Sequence, residues 1–276
     1  ESDNELQAYW AGILGTGAPD KPFLDLACGA GTVLKQAAAL GYSDLTGLDY
    51  SEEATRVVAS SFPGVKTVTA SAAQTGLADG SFAMIVSQFG LEYAGAAAAF
   101  AEAVRLTAPG GQIQTVMHMT GGGIETEVKG HVAHCEALLQ SSFIDTAKAL
   151  FTAAYANDAA GVQELMGPMA QARDAVSALV KPGQRSLAAH MIVGTGQLWE
   201  KRSAYALEDV IGWLSGIEAE IIAYKARMDG MVAAALDADT LANCEALLSG
   251  RGFRVKTAAL SLSGAPAAWT LSARKL

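Results

Sequence analysis

The chain has 276 residues, enough for one large or two small domains with a buried core. Hydrophobic residues make up 51% and charged residues 17%, which excludes a disordered chain. With 19 Lys and Arg against 28 Asp and Glu, the net charge is -9; this argues against a nucleic-acid partner, because phosphate binding needs a basic surface.

No apolar run reaches the roughly 18 residues of a membrane span, and the Ala-rich stretch at 94–101 is followed by Glu102. Residues 1–6 are acidic and polar, so no signal peptide is expected there, and the lack of a leading Met points to a trimmed start. Cys28, Cys135 and Cys244 are odd in number and far apart, as expected of reduced thiols in a cytoplasmic protein.

The predicted elements begin with a short helix at 4–14. A strand at Phe23–Ala27 follows, then Gly29 and Gly31, then a helix over Val33–Leu40. Leu45–Leu48 reads as a second strand ending in Asp49, and Glu52–Ser61 as a helix with Ser51 at its N-cap. Strands are expected at Val65–Thr69 and Phe82–Ser87, a helix at Ala96–Leu106, a break at Pro109-Gly110-Gly111, and a fifth strand at Gln112–His118. This alternation predicts an α/β fold with a mostly parallel sheet covered by helices on both faces.

After Gly121-Gly122-Gly123 only helical periods appear, up to residue 236. Apolar stripes run through 132–151 and 207–232, and Pro168, Pro182 and Gly183 punctuate the helices between them. A helix over Asp239–Leu248 then precedes a hairpin of Phe253–Leu262 and Ala268–Ala273, joined by Ser263-Gly264-Ala265-Pro266. The expected division is a discontinuous core, 1–122 with 237–276, and a helical insertion at 123–236. The insertion leaves the sheet at its substrate end, so a cap or lid hinged at the triple glycine is expected.

Chemistry concentrates at Asp25-Leu26-Ala27-Cys28-Gly29-Ala30-Gly31-Thr32, a strand-to-helix turn. Glycines let a ligand approach the backbone, and a helix start offers it free N–H groups. A third glycine of a dinucleotide fingerprint would fall on Leu34. An acid opening the turn suits a cationic amine better than a pyrophosphate. Asp49 ends the next strand, where a carboxylate accepts from two ribose hydroxyls, and Tyr50 can pack on a purine.

These stretches, with Leu77-Ala78-Asp79-Gly80-Ser81-Phe82, Val86-Ser87-Gln88-Phe89-Gly90-Leu91, Pro109-Gly110-Gly111 and Gly252-Phe253, resemble class I S-adenosylmethionine (SAM)-dependent methyltransferases of the small-molecule, type 11-like kind. The resemblance spans 9–119 and 237–275. It implies a Rossmann-like seven-stranded sheet, mostly parallel, with an antiparallel last strand. It also implies SAM as cofactor and S-adenosyl-L-homocysteine as product. Asp25, Ala27, Gly29 and Gly31 would surround the methionine portion, Asp49 the ribose, Tyr50 the adenine, and Ser71 and Ala72 the adenine edge. Gln88 and Phe89 would face the sulfonium end, and Tyr9 and Trp10 would close over the cofactor. Ala27 replaces the family's first glycine, and Ser71 stands where an acid is often found, so weaker adenine binding is expected.

Methyl transfer needs in-line placement of the acceptor and, for a hydroxyl, a base. His118, Glu92 and Tyr93, at strand ends, are the catalytic candidates, and His131 and His134 in the first inserted helix are candidates for substrate contact. His131, His134 and Cys135 do not close a metal site, so no metal is expected. The expected function is methyl transfer to a small molecule, with no nucleic-acid or membrane partner and with a homodimer through the insertion left open. A protein or RNA methyltransferase, or a non-catalytic SAM-binding protein, are the alternatives.

Overall fold

In the computed structural model, residues 2–180 and 187–276 are described. Glu1, Pro182 and Gly183 lie outside them. The chain divides into two compact units, 1–127 with 230–276, and 128–229.

The first unit opens with α1 (Ser2–Leu14) and then alternates: β1 (Phe23–Leu26), α2 (Thr32–Ala39), β2 (Leu45–Asp49), α3 (Glu52–Ser61), β3 (Lys66–Thr69), β4 (Phe82–Gln88), α4 (Ala96–Leu106) and β5 (Thr107–His118). It closes with α10 (Ala238–Ser249), β6 (Phe253–Leu262) and β7 (Ala265–Lys275). The sheet has seven strands in the order β3-β2-β1-β4-β5-β7-β6. β1 to β5 pair in parallel, and β7 runs antiparallel to both β5 and β6. This is the sheet that the resemblance implies.

Buried strands read as near-continuous apolar runs because both faces are covered. Phe23, Met84, Val86 and Val116 face a core shared with Trp10, Leu14, Val33 and Leu34 from α1 and α2. Leu24, Leu26, Ile85 and Ile113 face the other, shared with Phe100 of α4 and Leu248 of α10. The Ser51 hydroxyl caps α3 by accepting from the Ala54 N–H at 3.3 Å.

The boundaries differ most from the sequence reading at β5 and at the final hairpin. β5 begins at Thr107 and runs through Pro109-Gly110-Gly111. The irregularity is absorbed where the β4–β5 register jumps from Phe82–Thr107 to Met84–Gln112. The hairpin turn is only Ser263-Gly264, both with positive φ, and Pro266 already pairs with Ser261.

The second unit is helical. It holds most of α5 (Gly123–Gln140), then α6 (Phe143–Tyr155), α7 (Ala159–Ser177), α8 (Leu187–Glu200) and most of α9 (Leu207–Ala234). Its core gathers Leu138, Phe143, Phe151, Val176, Met191, Val210, Leu214 and Ile221. The stripe at 132–151 is interrupted at Ser141-Ser142, where Ser142 takes a positive φ. Pro168 lies inside α7 rather than ending a helix.

Candidate active site

The carboxyl ends of β1, β2 and β4 surround a cleft of about 740 Å³ in the first unit. Its position follows from topology, since the connections from β1 to β2 and from β1's neighbour β4 diverge there. Asp25, Ala27, Gly29, Asp49, Tyr50, Ser71, Ala72, Gln88, Phe89 and Tyr93 line it. Cys28, Ala30, Thr32, Val33, Gly90 and Ala94 complete the lining.

The turn after β1 is held by its own backbone and by Asp49. Cys28 N–H donates to Leu48 O, and Gly31 N–H to Cys28 O. Each carboxylate oxygen of Asp49 accepts one backbone N–H: Oδ2 from Gly29 at 2.8 Å and Oδ1 from Ser51 at 2.9 Å. The plane of the carboxylate is thereby fixed at the cleft wall, and each oxygen keeps acceptor capacity for a ligand hydroxyl. Tyr50, the next residue, is 81% exposed. A Cβ added to Gly29 would meet nothing within 4 Å, so a ligand can approach its backbone.

Asp25 is buried, and its Oδ2 has no hydrogen-bond partner among the described residues. Burial, helped by the nearby Asp49 carboxylate, pushes its pKa up to about 7. A buried carboxylate oxygen without a partner on the wall of a cleft calls for a donor or cationic partner, since leaving it unpaired is costly. Burial and both aspartates also push the Cys28 thiol up, so it stays protonated at neutral pH.

Ser71 and Ala72 both line the cleft, and the Ser71 hydroxyl accepts from Ala73 N–H at 3.2 Å. Its O–H remains available to donate. Gly31 is not in the lining; a Cβ there would meet Phe62 and Val58 at 3.0 and 3.2 Å, so its lack of a side chain lets Val58 of α3 and the adjoining Phe62 pack close. Tyr9 and Trp10 do not line the cleft either. Trp10 is fully buried and donates from Nε1 to Gln88 Oε1 at 2.5 Å, and Tyr9 meets Trp10 edge-on with ring centroids 5.5 Å apart.

Of the catalytic candidates, only Tyr93 lines the cleft. Burial, the Glu92 charge and Tyr50 push its hydroxyl up to about 12, so it is a neutral group. His118 and Glu92 are buried behind that wall. Glu92 Oε1 accepts from the His118 backbone N–H at 2.9 Å and lies 2.7 Å from its Nδ1. The His118 ring stacks against Phe89 at 4.6 Å and meets Tyr93 edge-on at 5.9 Å. His131 and His134 belong to the helical unit, where His131 Nδ1 pairs with the Tyr224 hydroxyl at 2.9 Å. Among the described residues no cluster of three His, Cys, Asp or Glu could hold a metal.

Sequence reasoning did not assign Gly90 a role. A Cβ there would lie 2.6 Å from the Cβ of Ala27, so the position admits only glycine. The signal available was its place directly after Gln88 and Phe89 at a strand end.

An open α/β sheet with a cleft at the carboxyl ends of its parallel strands, lined by Asp25 and Asp49, is a fold of the Rossmann-like class. Residues 23–111 match the methyltransferase domain family. The matched residues lie in the first unit and run from β1 into β5. Solved structures similar to it include a SAM-dependent methyltransferase from Mesorhizobium loti, 25% identical, covering 41% of this chain and 53% of that one, with a TM-score of 0.37. Another is geranyl diphosphate C-methyltransferase from Streptomyces coelicolor A3(2), 19% identical, covering 42% and 45%, with a TM-score of 0.39. The chain spans about half the length of these structures. No curated protein matches it.

Proposed function

We propose that the protein transfers a methyl group from SAM to a small-molecule acceptor. The observation that carries this reading is the unpartnered Oδ2 of Asp25 in one cleft with the backbone-held Asp49. A ligand with an ammonium at one end and a ribose diol further along satisfies both. SAM, when bound, supplies an electrophilic methyl group on its sulfonium.

The chain's own work is placement. Asp25 holds the ammonium, Asp49 accepts from the ribose hydroxyls, Tyr50 offers a ring to the adenine, and the Ser71 hydroxyl donates at its edge. Phe89, Gly90, Tyr93 and Ala94 form the mostly apolar wall beyond Gln88. This wall suits an apolar acceptor and excludes water from its reacting atom. Tyr93, still protonated, donates a hydrogen bond there and is not a base. We assign the helical unit, together with His131 and His134, to acceptor selection, because the chain enters it directly after the carboxyl end of β5. The acidic composition favours a small molecule over RNA. Among the described residues no helix is long and apolar enough to cross a membrane.

Incubation of the full chain with methyl-labelled SAM and a cell extract tests the acceptor class. The label is expected in the low-mass, solvent-extractable fraction. Label confined to protein or RNA overturns the small-molecule reading.

A further inference from the structure

The sheet ends on β6, a ten-residue strand whose outer edge pairs with no other strand among the described residues. One side of β6 is closed by Phe253, which packs in a core with Leu248 of α10. The other side carries Arg254 and Lys256, both exposed. Arg254 is directly opposite Arg274 of β7, also exposed, and Arg274 is opposite Gln112 of β5. Lys256 is opposite Ser272, whose hydroxyl accepts from Gln114 Nε2 at 2.9 Å. Residues opposite one another on neighbouring antiparallel strands share a face. Three cations therefore stand together on one face of β7 and β6.

None of the three forms an ion pair among the described residues, although the chain carries a net charge of -9. Like charges directly opposite one another in a sheet are destabilising. Charge on an edge strand guards it against unwanted pairing, which accounts for Arg254 and Lys256. It does not account for Arg274, which lies on β7, one strand in from the edge. The array is also remote from the cleft. Its rows are level with Gln112 and Gln114, whereas the cleft opens at the carboxyl ends of β1, β2 and β4. Along β5 the run from Gln112 to its carboxyl end at His118 spans about 20 Å.

An extended segment with carboxylates at alternate positions complements this edge. Laid along β6, it pairs its main chain with the open edge, and its side chains at every second position fall on one face, level with Arg254 and Lys256. A guanidinium meets a carboxylate through two parallel N–H···O bonds, and Arg274 adds positive charge one strand behind, about 4.8 Å away. We propose that the outer edge of β6, with Arg254, Lys256 and Arg274, docks an acidic extended segment of a partner protein by strand addition. This interaction surface goes beyond the methyl-transfer reading and does not depend on it.

The test is fluorescence anisotropy of the full chain with a labelled peptide that alternates Glu and Val. Saturable binding that weakens as salt rises is expected. Arg254→Glu combined with Arg274→Glu is expected to weaken it by about tenfold or more. The same peptide with alternate backbone nitrogens methylated keeps its charge but cannot pair as a strand, and is expected to bind about tenfold more weakly or worse. A cooperative thermal transition checks that the double variant folds; if it does not, Lys256→Glu, exposed and opposite only a serine, is expected to weaken the peptide by about threefold or more. No binding by the native chain, or equal affinity in a folded variant, overturns the proposal. Equal affinity for the methylated peptide, displacement by inorganic phosphate at the same concentration, or tighter binding of single-stranded RNA overturns it as well, by assigning the array to free anions or to nucleic acid.

Discussion

Ala27 and Gly90 meet so closely that a methyl group on Gly90 would sit 2.6 Å from the Ala27 Cβ and 2.8 Å from its carbonyl oxygen. The turn after β1 and the turn after β4 are thus packed backbone to backbone at the cleft wall. Ala27 itself adopts a left-handed φ of 62°, where a Cβ is strained. Gly90→Ala is expected to destabilise the fold by about 1–3 kcal/mol through overpacking, and to weaken SAM binding as the turns separate. Ala27→Gly relieves both strain and contact, and is expected to stabilise by about 0.5–1 kcal/mol. Urea unfolding of the two variants checks the opposite signs.

Asp25 couples the site to pH. With its pKa raised from 3.8 to about 7, the folded state holds this proton more tightly than the unfolded chain. Its contribution to stability therefore falls as pH rises from about 4 to 7 and is level above that. A bound ammonium favours the ionised form, so SAM binding below pH 7 is expected to release a proton and to tighten as pH rises through 7. Calorimetry in buffers of different ionisation heat counts the proton. Asp25→Asn should abolish the release, weaken SAM by about tenfold or more, and stabilise the ligand-free protein at pH 8.

A second carboxylate is held the other way. Glu102 accepts from Thr75 N–H at 2.9 Å and Thr75 Oγ1 at 2.6 Å, and from Arg105 Nη2 at 2.6 Å and Nε at 2.8 Å. Arg105, foremost, holds its pKa down to about 2. Arg105 also bonds Asp79 and Leu77 O, so the pair pins the loop between β3 and β4 to α4. The stabilisation is complete above the ordinary value of 4.5 and is lost as pH falls towards 2. Glu102→Gln is expected to cost about 1–3 kcal/mol at pH 7 and progressively less at pH 3, as read by urea midpoints.

His118 and Glu92 lie behind Phe89 and Tyr93 rather than in the cleft. They are expected to support the wall. His118→Gln, which can still donate to Glu92, should lower methyl transfer by less than about tenfold, whereas loss of a true general base costs about 100-fold or more. Steady-state rates on a folded variant decide between the two.

The sheet was legible because β1 and β4 are short apolar runs separated by helical stretches, and because Asp25, Gly29 and Asp49 sit at fixed places in that rhythm. Asp49 needed no long-range information, since its partners Gly29 and Ser51 belong to the first two β-α units. Other features depend on residues far apart in sequence. Trp10 meets Gln88 across 78 positions, a contact that no local pattern announces. The packing of Val58 and Phe62 against Gly31 likewise joins residues some thirty positions apart. The turn at Ser141-Ser142 escaped because the apolar stripe continues across it, and Pro168 read as a breaker although α7 carries through it.

The central claim is that the cleft is a SAM site with the ribose on Asp49. Titration of S-adenosyl-L-homocysteine into the native chain and into Asp49→Ala tests it most directly. One-to-one binding by the native chain, weakened about tenfold or more in the variant, is the predicted result. No binding by the native chain, or equal affinity in a folded variant, would contradict it.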